Sequence, residues 1–308
     1  MNAERVRQGR VVSGTNNIFQ VATDDRVLLC RIKGKVLRSV EAEYNPLAPG
    51  DRVEISEAGP EPLILNRLDR RNWIARWNRK RRALQTLAAN IDCAVAVASP
   101  QLPPFRPRFI DRVLAAAELG AGEAAIVMNK TDQGLAADCA SRLAAYREMG
   151  YRLFEVSARS GDGIDALVEW LGGQTVALVG QSGVGKSTLI NVLVPGTDQR
   201  TGEVSAKYRR GRHVTTVGTA IHDERFTLID TPGIREIDLY PHGITEIAWA
   251  FREFRGRECG FNGCTHLHEP DCAVMDAVES GEIHPDRYTS YCNMVADRNL
   301  SAAAAGVT

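Results

Sequence analysis

The fold of this chain is decided by eight residues, Gly180-Gln181-Ser182-Gly183-Val184-Gly185-Lys186-Ser187. They match the pattern G-x-x-x-x-G-K-[ST], and they lie between an apolar predicted strand over 175–179 and a predicted helix over 186–193. Such a loop curls so that backbone N–H groups point at phosphate oxygens, and the helix N-terminus adds partial positive charge. We expect Lys186 to neutralise the β- and γ-phosphates as a catalytic residue, and Ser187 to ligate Mg²⁺. Thr188, the next helical residue, completes the predicted phosphate site.

A second phosphate-binding element is predicted at residues 226–233, which read Phe226-Thr227-Leu228-Ile229-Asp230-Thr231-Pro232-Gly233. This apolar strand ends in an acid and a glycine. We expect Asp230 to hold Mg²⁺ through its water shell and the Gly233 N–H to contact the γ-phosphate. Together with the phosphate loop, this element indicates a nucleoside triphosphate.

The base is predicted from two segments upstream of the phosphate loop, Asn129-Lys130-Thr131-Asp132 and Ser157-Ala158-Arg159. The Asp132 carboxylate can accept hydrogen bonds from N1–H and the exocyclic amine of guanine, whereas adenine has no donor there. Leaving such a buried polar group unpaired costs about 1–3 kcal/mol, which favours guanine. We expect Asn129 in the same site and Lys130 along the base. Ser157 and Ala158 are expected to close over the base oxygen, so the predicted substrate is GTP.

The chain order of these motifs is rotated relative to an ordinary small GTPase, which places its phosphate loop first. Because the base motifs come first here, we predict a circularly permuted G domain over residues 69–240. Apolar runs alternate with helical periodicity and predict an α/β fold with a mostly parallel sheet covered by helices. The predicted strands are 91–98, 124–128, 151–156, 175–179 and 226–229, and the predicted helices are 108–119, 135–149, 164–171 and 186–193.

We predict that residues 1–68 form a separate β domain that binds RNA. Short apolar segments, among them 18–21 and 27–32 around a turn at Asp24-Asp25, favour a five-stranded OB-like barrel, with any small β domain as the alternative.

Residues 67–82 form a basic segment with eight Arg and Lys, two Trp and one Asp. Residues 1–82 carry 17 Lys and Arg against 10 Asp and Glu, although the whole chain has 38 of each. Cations interleaved with indoles suit phosphate contact and base stacking. The alternatives are a solvated basic face without a partner and a linker that packs its tryptophans on the next domain.

Three of the seven cysteines cluster with a histidine as Cys259-x4-Cys264-x-His266-x5-Cys272. Thiolate and imidazole ligands in this spacing indicate one structural, tetrahedral Zn²⁺ in a mainly helical domain over 241–308. His268 is a competing ligand. We expect the tail at 302–305 to be frayed.

The composition, with 44% hydrophobic and 25% charged residues, is typical of a globular protein and excludes a collagen-like or fully disordered chain. No apolar run approaches the ~20 residues that cross a bilayer, so we expect no membrane partner. No secretory signal is visible at the N-terminus, which predicts a reducing cytoplasm and favours metal over disulfides at the cysteine cluster.

The order of barrel, permuted G domain and Cys-x4-Cys-x-His-x5-Cys segment resembles the RsgA (YjeQ) family of small-ribosomal-subunit biogenesis GTPases. The stretch Ala88-Ala89-Asn90-Ile91-Asp92 also resembles this family. The resemblance implies a cytoplasmic enzyme that hydrolyses GTP to GDP and acts late in small-subunit maturation. It implies binding near the decoding region, with the small subunit and its rRNA as partners, and hydrolysis stimulated by ribosomal subunits. We expect a monomer.

The family's switch motif, Gly-[Arg/Lys]-His-Thr-Thr, has a counterpart in Gly211-Arg212-His213-Val214-Thr215-Thr216, where Val214 is a departure. We expect Thr215 to ligate Mg²⁺, with Thr216 as the alternative. The residue after the Asp-x-x-Gly motif is Ile234, which cannot orient the attacking water as glutamine does in many GTPases. His213 is therefore the catalytic candidate, and the alternative is a histidine that only contacts RNA.

A second class of function stays open, an RNA-binding module whose G domain senses guanine nucleotide with incidental turnover. The intact Lys186, Ser187 and Asp230 favour the enzyme. An elongation-type translation factor is disfavoured because the motif order is wrong and the chain is short.

Overall fold

The computed structural model of the chain describes residues 6–15, 17–32, 43–197 and 218–305. The predicted switch residues His213, Thr215 and Thr216 lie outside the described residues.

The first five strands close into a barrel, which confirms the predicted architecture of the N-terminal region. They pair in the order β1-β2-β3-β5-β4. Their bounds are β1 Val6–Thr15, β2 Ile18–Ala22, β3 Val27–Ile32, β4 Arg52–Ser56 and β5 Leu63–Arg67. Inward-facing residues such as Val11, Phe19 and Ile55 form the core of the barrel. Gly14 is required because a Cβ there would lie 2.2 Å from the ring of Phe19.

The basic segment continues into a β-hairpin, an element for which the sequence analysis predicted no strands. Its strands are β6 Trp73–Asn78 and β7 Ala83–Ala89, which pair antiparallel. The ring of Trp77 packs edge-on against Tyr240, with centroids 4.6 Å apart, so this tryptophan packs on the end of the predicted G domain. The basic residues 79–82 at the turn, which we call the hairpin tip, are exposed.

A six-stranded sheet in the order β10-β9-β8-β11-β13-β12 forms the G domain, and only β12 runs antiparallel to its neighbour. The strands are β8 Cys93–Ala98, β9 Glu123–Met128, β10 Arg152–Glu155, β11 Thr175–Gly180, β12 Thr219–His222 and β13 Thr227–Asp230. The helices are α1 Pro107–Leu119, α2 Ala137–Glu148, α3 Ile164–Leu171 and α4 Lys186–Leu193. Every predicted strand and helix of this domain is present, and β12 is the strand that the sequence analysis missed.

Both faces of the sheet are covered, which explains its unbroken apolar strands. Along β8, alanines face the layer of α1 and α2, whereas Val95 and Val97 face the layer of α3 and α4. Because parallel strands end at one edge of a sheet, the loops after β8, β9, β10, β11 and β13 come together there.

The C-terminal region consists of α5 Ile244–Trp249, α6 Ala273–Glu279 and α7 Pro285–Ala305. The expectation that the tail frays is wrong, because α7 continues to Ala305 and Ala302 is buried. Ala302 packs and the exposed Ala303 and Ala304 continue the helix, so the last turns do not unwind.

Arg287 of α7 is fully buried and joins the C-terminal helices to the G domain. Its guanidinium pairs with Asp111 of α1 at 2.8 Å and with Glu253 at 2.6 Å. Asp111 also pairs with Arg142 of α2 at 2.7 Å. Buried charges require such partners, so this cluster makes the docking of α7 on α1 and α2 specific in geometry.

Candidate nucleotide site and metal centre

The phosphate loop connects β11 to α4 at the edge where the parallel strands end. Gly183 and Gly185 have positive φ angles of 87° and 92°. A Cβ on Gly185 would lie 2.4 Å from Nδ2 of Asn129, and that amide donates a hydrogen bond to the Val184 carbonyl at 3.0 Å. The glycines of the motif are therefore needed both for the curl of the loop and for the close approach of the base segment.

Lys186 is buried and Asp230 half-buried at the base of the loop. The Lys186 ammonium donates to the Gly180 carbonyl at 2.7 Å. Burial lowers the pKa of Lys186 and raises the pKa of Asp230. Oδ1 of Asp230 is buried and has no hydrogen-bond partner among the described residues. A phosphate beside the lysine and a hydrated divalent cation beside the aspartate would satisfy both charges, so these residues fit a Mg²⁺–nucleotide ligand.

The Asp-x-x-Gly segment lies against the phosphate loop. A Cβ built on Gly233 would be 3.4 Å from the backbone nitrogen of Ser182. Thr231 Oγ1 donates to the Leu178 carbonyl at 2.8 Å, which ties the segment to β11. The Ile234 side chain is buried in the apolar core, so it fills space there and does not line the phosphate site.

Asn129 connects three segments of the site. It is 1% exposed, and its Oδ1 accepts a hydrogen bond from the Ala158 backbone N–H at 3.0 Å while its Nδ2 reaches Val184. The sequence analysis placed Asn129 in the site but did not identify this bridging role. Only the folded chain shows it, because the three segments are far apart in sequence.

The two residues predicted to contact the base, Lys130 and Asp132, lie beside the phosphate loop and Ser157 respectively. Lys130 adopts a positive φ of 65°, and its ammonium donates to the carbonyls of Leu102 and Gly183, both at 2.6 Å. The Asp132 Oδ1 accepts from Ser157 Oγ at 2.7 Å, and the Asp132 side chain is exposed. Its other oxygen makes no hydrogen bond within the described ranges, which leaves it open to a base.

The four predicted metal ligands meet. Their ligand atoms all lie within 4.8 Å of one another, and His268 is not in the group. Nδ1 of His266 is 3.6 Å from Cys259 Sγ and 3.4 Å from Cys272 Sγ, and those two sulfurs are 4.0 Å apart. Tetrahedral Zn²⁺, with Zn–S of about 2.3 Å, places sulfurs about 3.8 Å apart. These residues therefore fit a metal of that size, and all seven cysteines are free of disulfides.

Two tyrosines of α7 support the cluster from behind. The Tyr288 hydroxyl donates to the His266 carbonyl at 2.8 Å, and the Tyr291 hydroxyl donates to the Thr265 carbonyl. The sequence analysis did not single out these tyrosines. Their spacing of three residues on one helix face is the signal that could have found them.

A phosphate loop, an Asp-x-x-Gly segment and a base segment that meet at one sheet edge in rotated chain order define a circularly permuted P-loop GTPase.

Comparison with known proteins agrees with this class. The RsgA GTPase family matches residues 67–240. The small ribosomal subunit biogenesis GTPase RsgA of Borrelia recurrentis is 38% identical over 293 residues, which is 93% of each chain. RsgA 2 of Bacteroides thetaiotaomicron is also 38% identical, over 94% of this chain and 97% of its own.

Solved structures lead to the same fold. YjeQ from Thermotoga maritima is 30% identical and matches with a TM-score of 0.72 over 94% of this chain and 97% of its own. YloQ, a circularly permuted GTPase, matches with a TM-score of 0.68 at 24% identity and 97% coverage of both chains, which supports the fold. The chain belongs to the RsgA GTPase family and is a GTP hydrolase. Within the described part of the chain, no helix is both long and apolar enough to span a bilayer.

Proposed function

We propose that this chain binds the small ribosomal subunit and acts in its late maturation, hydrolysing GTP to GDP and phosphate with stimulation by the subunit. The observation that supports this most is the attachment of the permuted G domain to a barrel and to a hairpin with an exposed basic tip. Exposed cations of this kind bind the phosphate backbone of nucleic acids. The named relatives are GTPases of small-subunit biogenesis.

In the proposed reaction, Lys186 neutralises charge that develops on the β- and γ-phosphates. Its ammonium is already held at the Gly180 carbonyl, so little reorganisation is needed when phosphate arrives. The Gly233 N–H contacts the γ-phosphate from beside the loop. Mg²⁺ held by Ser187, Asp230 and Thr215 would supply further charge neutralisation.

Guanine selection is assigned to Asp132. Asn129 and Lys130 hold the loops that frame the base, and Ser157 fixes the Asp132 carboxylate by a hydrogen bond of 2.7 Å. The Ala158 backbone closes the far side of the base. The other nucleotide contacts are assigned to the phosphate loop and the first turn of α4, that is Gly180, Gln181, Ser182, Gly183, Val184, Gly185 and Thr188.

His213 is proposed to orient the attacking water, because Ile234 is committed to the core. We expect slow basal hydrolysis and faster hydrolysis on the small subunit. His213→Ala should then lower stimulated turnover and leave GTP affinity nearly unchanged. Equal stimulated rates in variant and wild type would remove His213 from the mechanism.

The cysteine-rich cluster is proposed to hold one structural Zn²⁺ through Cys259, Cys264, His266 and Cys272. We further propose three domains, over residues 1–68, 69–240 and 241–308, in a cytoplasmic monomer whose partners are the small subunit and its rRNA.

The deciding experiment measures GTP turnover by the purified, metal-loaded protein with small subunits, large subunits or whole ribosomes. We expect stimulation by small subunits above the other particles. Turnover that is the same with and without small subunits would contradict the proposed function and favour a guanine-nucleotide sensor.

A further inference from the structure

Residues 234–240, which follow Gly233 directly, are held on several sides; we call them the post-glycine segment. Gln181 of the phosphate loop donates to the Arg235 carbonyl at 3.4 Å, and Arg112 of α1 donates to the Ile237 carbonyl at 2.9 Å. Ile234, Ile237 and Leu239 are buried in the core. The placement of Gly233 therefore depends on what holds this segment.

The hairpin is one of the elements that hold it. The backbone N–H of Trp77 donates to the backbone carbonyl of Asp238 at 2.8 Å, as between paired strands. The Trp77 ring packs on Tyr240. Arg76 donates to the Glu236 carbonyl at 3.3 Å. The hairpin thus donates hydrogen bonds to two backbone carbonyls of the post-glycine segment, those of Glu236 and Asp238.

Arg79 of the hairpin tip forms ion pairs with two residues of this segment, a close one with Asp238 and a longer one of 3.6 Å with Glu236. Arg79 Nε donates to Asp238 Oδ2 at 2.5 Å. Asp238 is 4% exposed, and the same oxygen accepts from Ser301 of α7 at 2.6 Å, while its Oδ1 accepts from the Tyr240 N–H at 3.0 Å. The Arg79 side chain is 44% exposed. The arginine therefore binds a buried carboxylate through Nε, while its Nη2 lies 3.6 Å from carboxylate oxygens of Glu236 and Asp297 and part of the side chain is exposed.

Arg79 differs in this respect from its neighbour Arg81. Both are exposed cations of the same tip, and both are available to a phosphate backbone. Within the described residues, no hydrogen bond or ion pair joins the Arg81 side chain to the post-glycine segment. A polyanion that orders the tip would therefore act on the post-glycine segment through Arg79 and not through Arg81.

We propose that Arg79 and Asp238 are positioning residues that couple RNA contact at the hairpin tip to the placement of Gly233 in the nucleotide site. This inference rests on the proposed function, because the polyanion is taken to be RNA of the small subunit. RNA phosphates bound to the tip would restrain Arg79, whose pair with Asp238 is already formed, and would thereby restrain the post-glycine segment and Gly233 beside the phosphate loop. Coupling of this kind through a packed contact changes rates or affinities by about three- to thirtyfold.

The test compares Arg79→Ala with the matched control Arg81→Ala, which removes the same charge from the same tip. For each, GTP turnover is titrated with purified small subunits to give the half-saturating concentration and the turnover at saturation. Both variants should need more subunits to saturate. Only Arg79→Ala should also lose saturated turnover, by about three- to thirtyfold.

Further variants separate positioning from a general loss of structure. Arg79→Lys keeps the charge and should restore part of the saturated turnover. Asp238→Asn should also lower the saturated turnover, and the double variant should lose less than the product of the two single-variant losses, since the Arg79–Asp238 pair is shared by both. GDP affinity and the unfolding midpoint are measured for every variant to show that each is folded.

Two negative outcomes are distinguishable. If wild type is stimulated and Arg79→Ala matches Arg81→Ala in both quantities, Arg79 is only a phosphate contact and the coupling is refuted while the proposed function stands. If small subunits do not stimulate wild type, the proposed function fails and this inference falls with it.

Discussion

Asn129→Ala is the substitution that tests the assembly of the nucleotide site most directly. The buried amide makes hydrogen bonds of 3.0 Å to the Val184 carbonyl and from the Ala158 N–H, and so ties the phosphate loop to the turn over the base. An unmade buried hydrogen bond costs about 1–3 kcal/mol. Without nucleotide the two loops of the variant can relax, but binding must restore their arrangement, so the cost should fall on affinity.

We expect the two lost bonds together to weaken GDP binding by about 2–4 kcal/mol, which is a 30- to 1000-fold rise in Kd. Isothermal titration calorimetry with GDP measures this. Asn66→Ala is the matched control, because it removes the same amide from an exposed position on the barrel. A Kd for Asn129→Ala within about threefold of wild type would refute the reasoning that these bonds hold the site together.

Three other expectations follow from the site and the core. Asp132→Asn should weaken GTP binding at least tenfold and strengthen xanthosine triphosphate binding, because an amide can donate to the additional base carbonyl; calorimetry showing an unchanged preference for guanine would contradict this. Metal analysis should find one zinc per chain. Cys272→Ser should lose this zinc and lower the thermal unfolding midpoint by more than about 4 °C. A wild-type protein that is as stable without metal as with it would exclude the structural metal. Arg287→Met should lower the free energy of unfolding, measured in urea, by about 3–5 kcal/mol, because Asp111 and Glu253 each lose a partner. The control Arg152→Met, at an exposed position, should change this free energy little. Equal losses in the two variants would show that the buried pairs do not stabilise the fold.

Local pattern was sufficient for much of the fold. The alternation of apolar strands and periodic helices located the elements of the G domain, since strands buried on both faces must be apolar throughout. The same pattern failed at residues 73–89, where a hairpin forms. Arg76, Trp77 and Arg79 read as a basic linker because cations interrupt the apolar residues of β6 and leave no apolar run that marks a strand.

Prediction from local sequence pattern also failed in the C-terminal region. Four alanines at the chain end predicted fraying, but Ala302 packs and α7 continues to Ala305. The sequence analysis also did not single out Asp111 or Arg287, which are fully buried. No sequence pattern distinguishes a solvated charge from one that is buried beside its partner far along the chain.

Sequence by itself determined the class of the protein, because a phosphate loop, an acid at a strand end and a guanine-reading motif need particular residues at short spacings, and their order along the chain is directly visible. The four predicted metal ligands, which the structure brings together, belong with them, since their chemistry and spacing are local. Three sets of contacts are visible only in the folded chain: the hydrogen bonds of Asn129 to two other loops, the ion pairs that neutralise Arg287, and the ion pair of Arg79 with Asp238. Each of these contacts joins segments far apart in the chain, and the free energy that selects it arises only when packing has removed water from both partners.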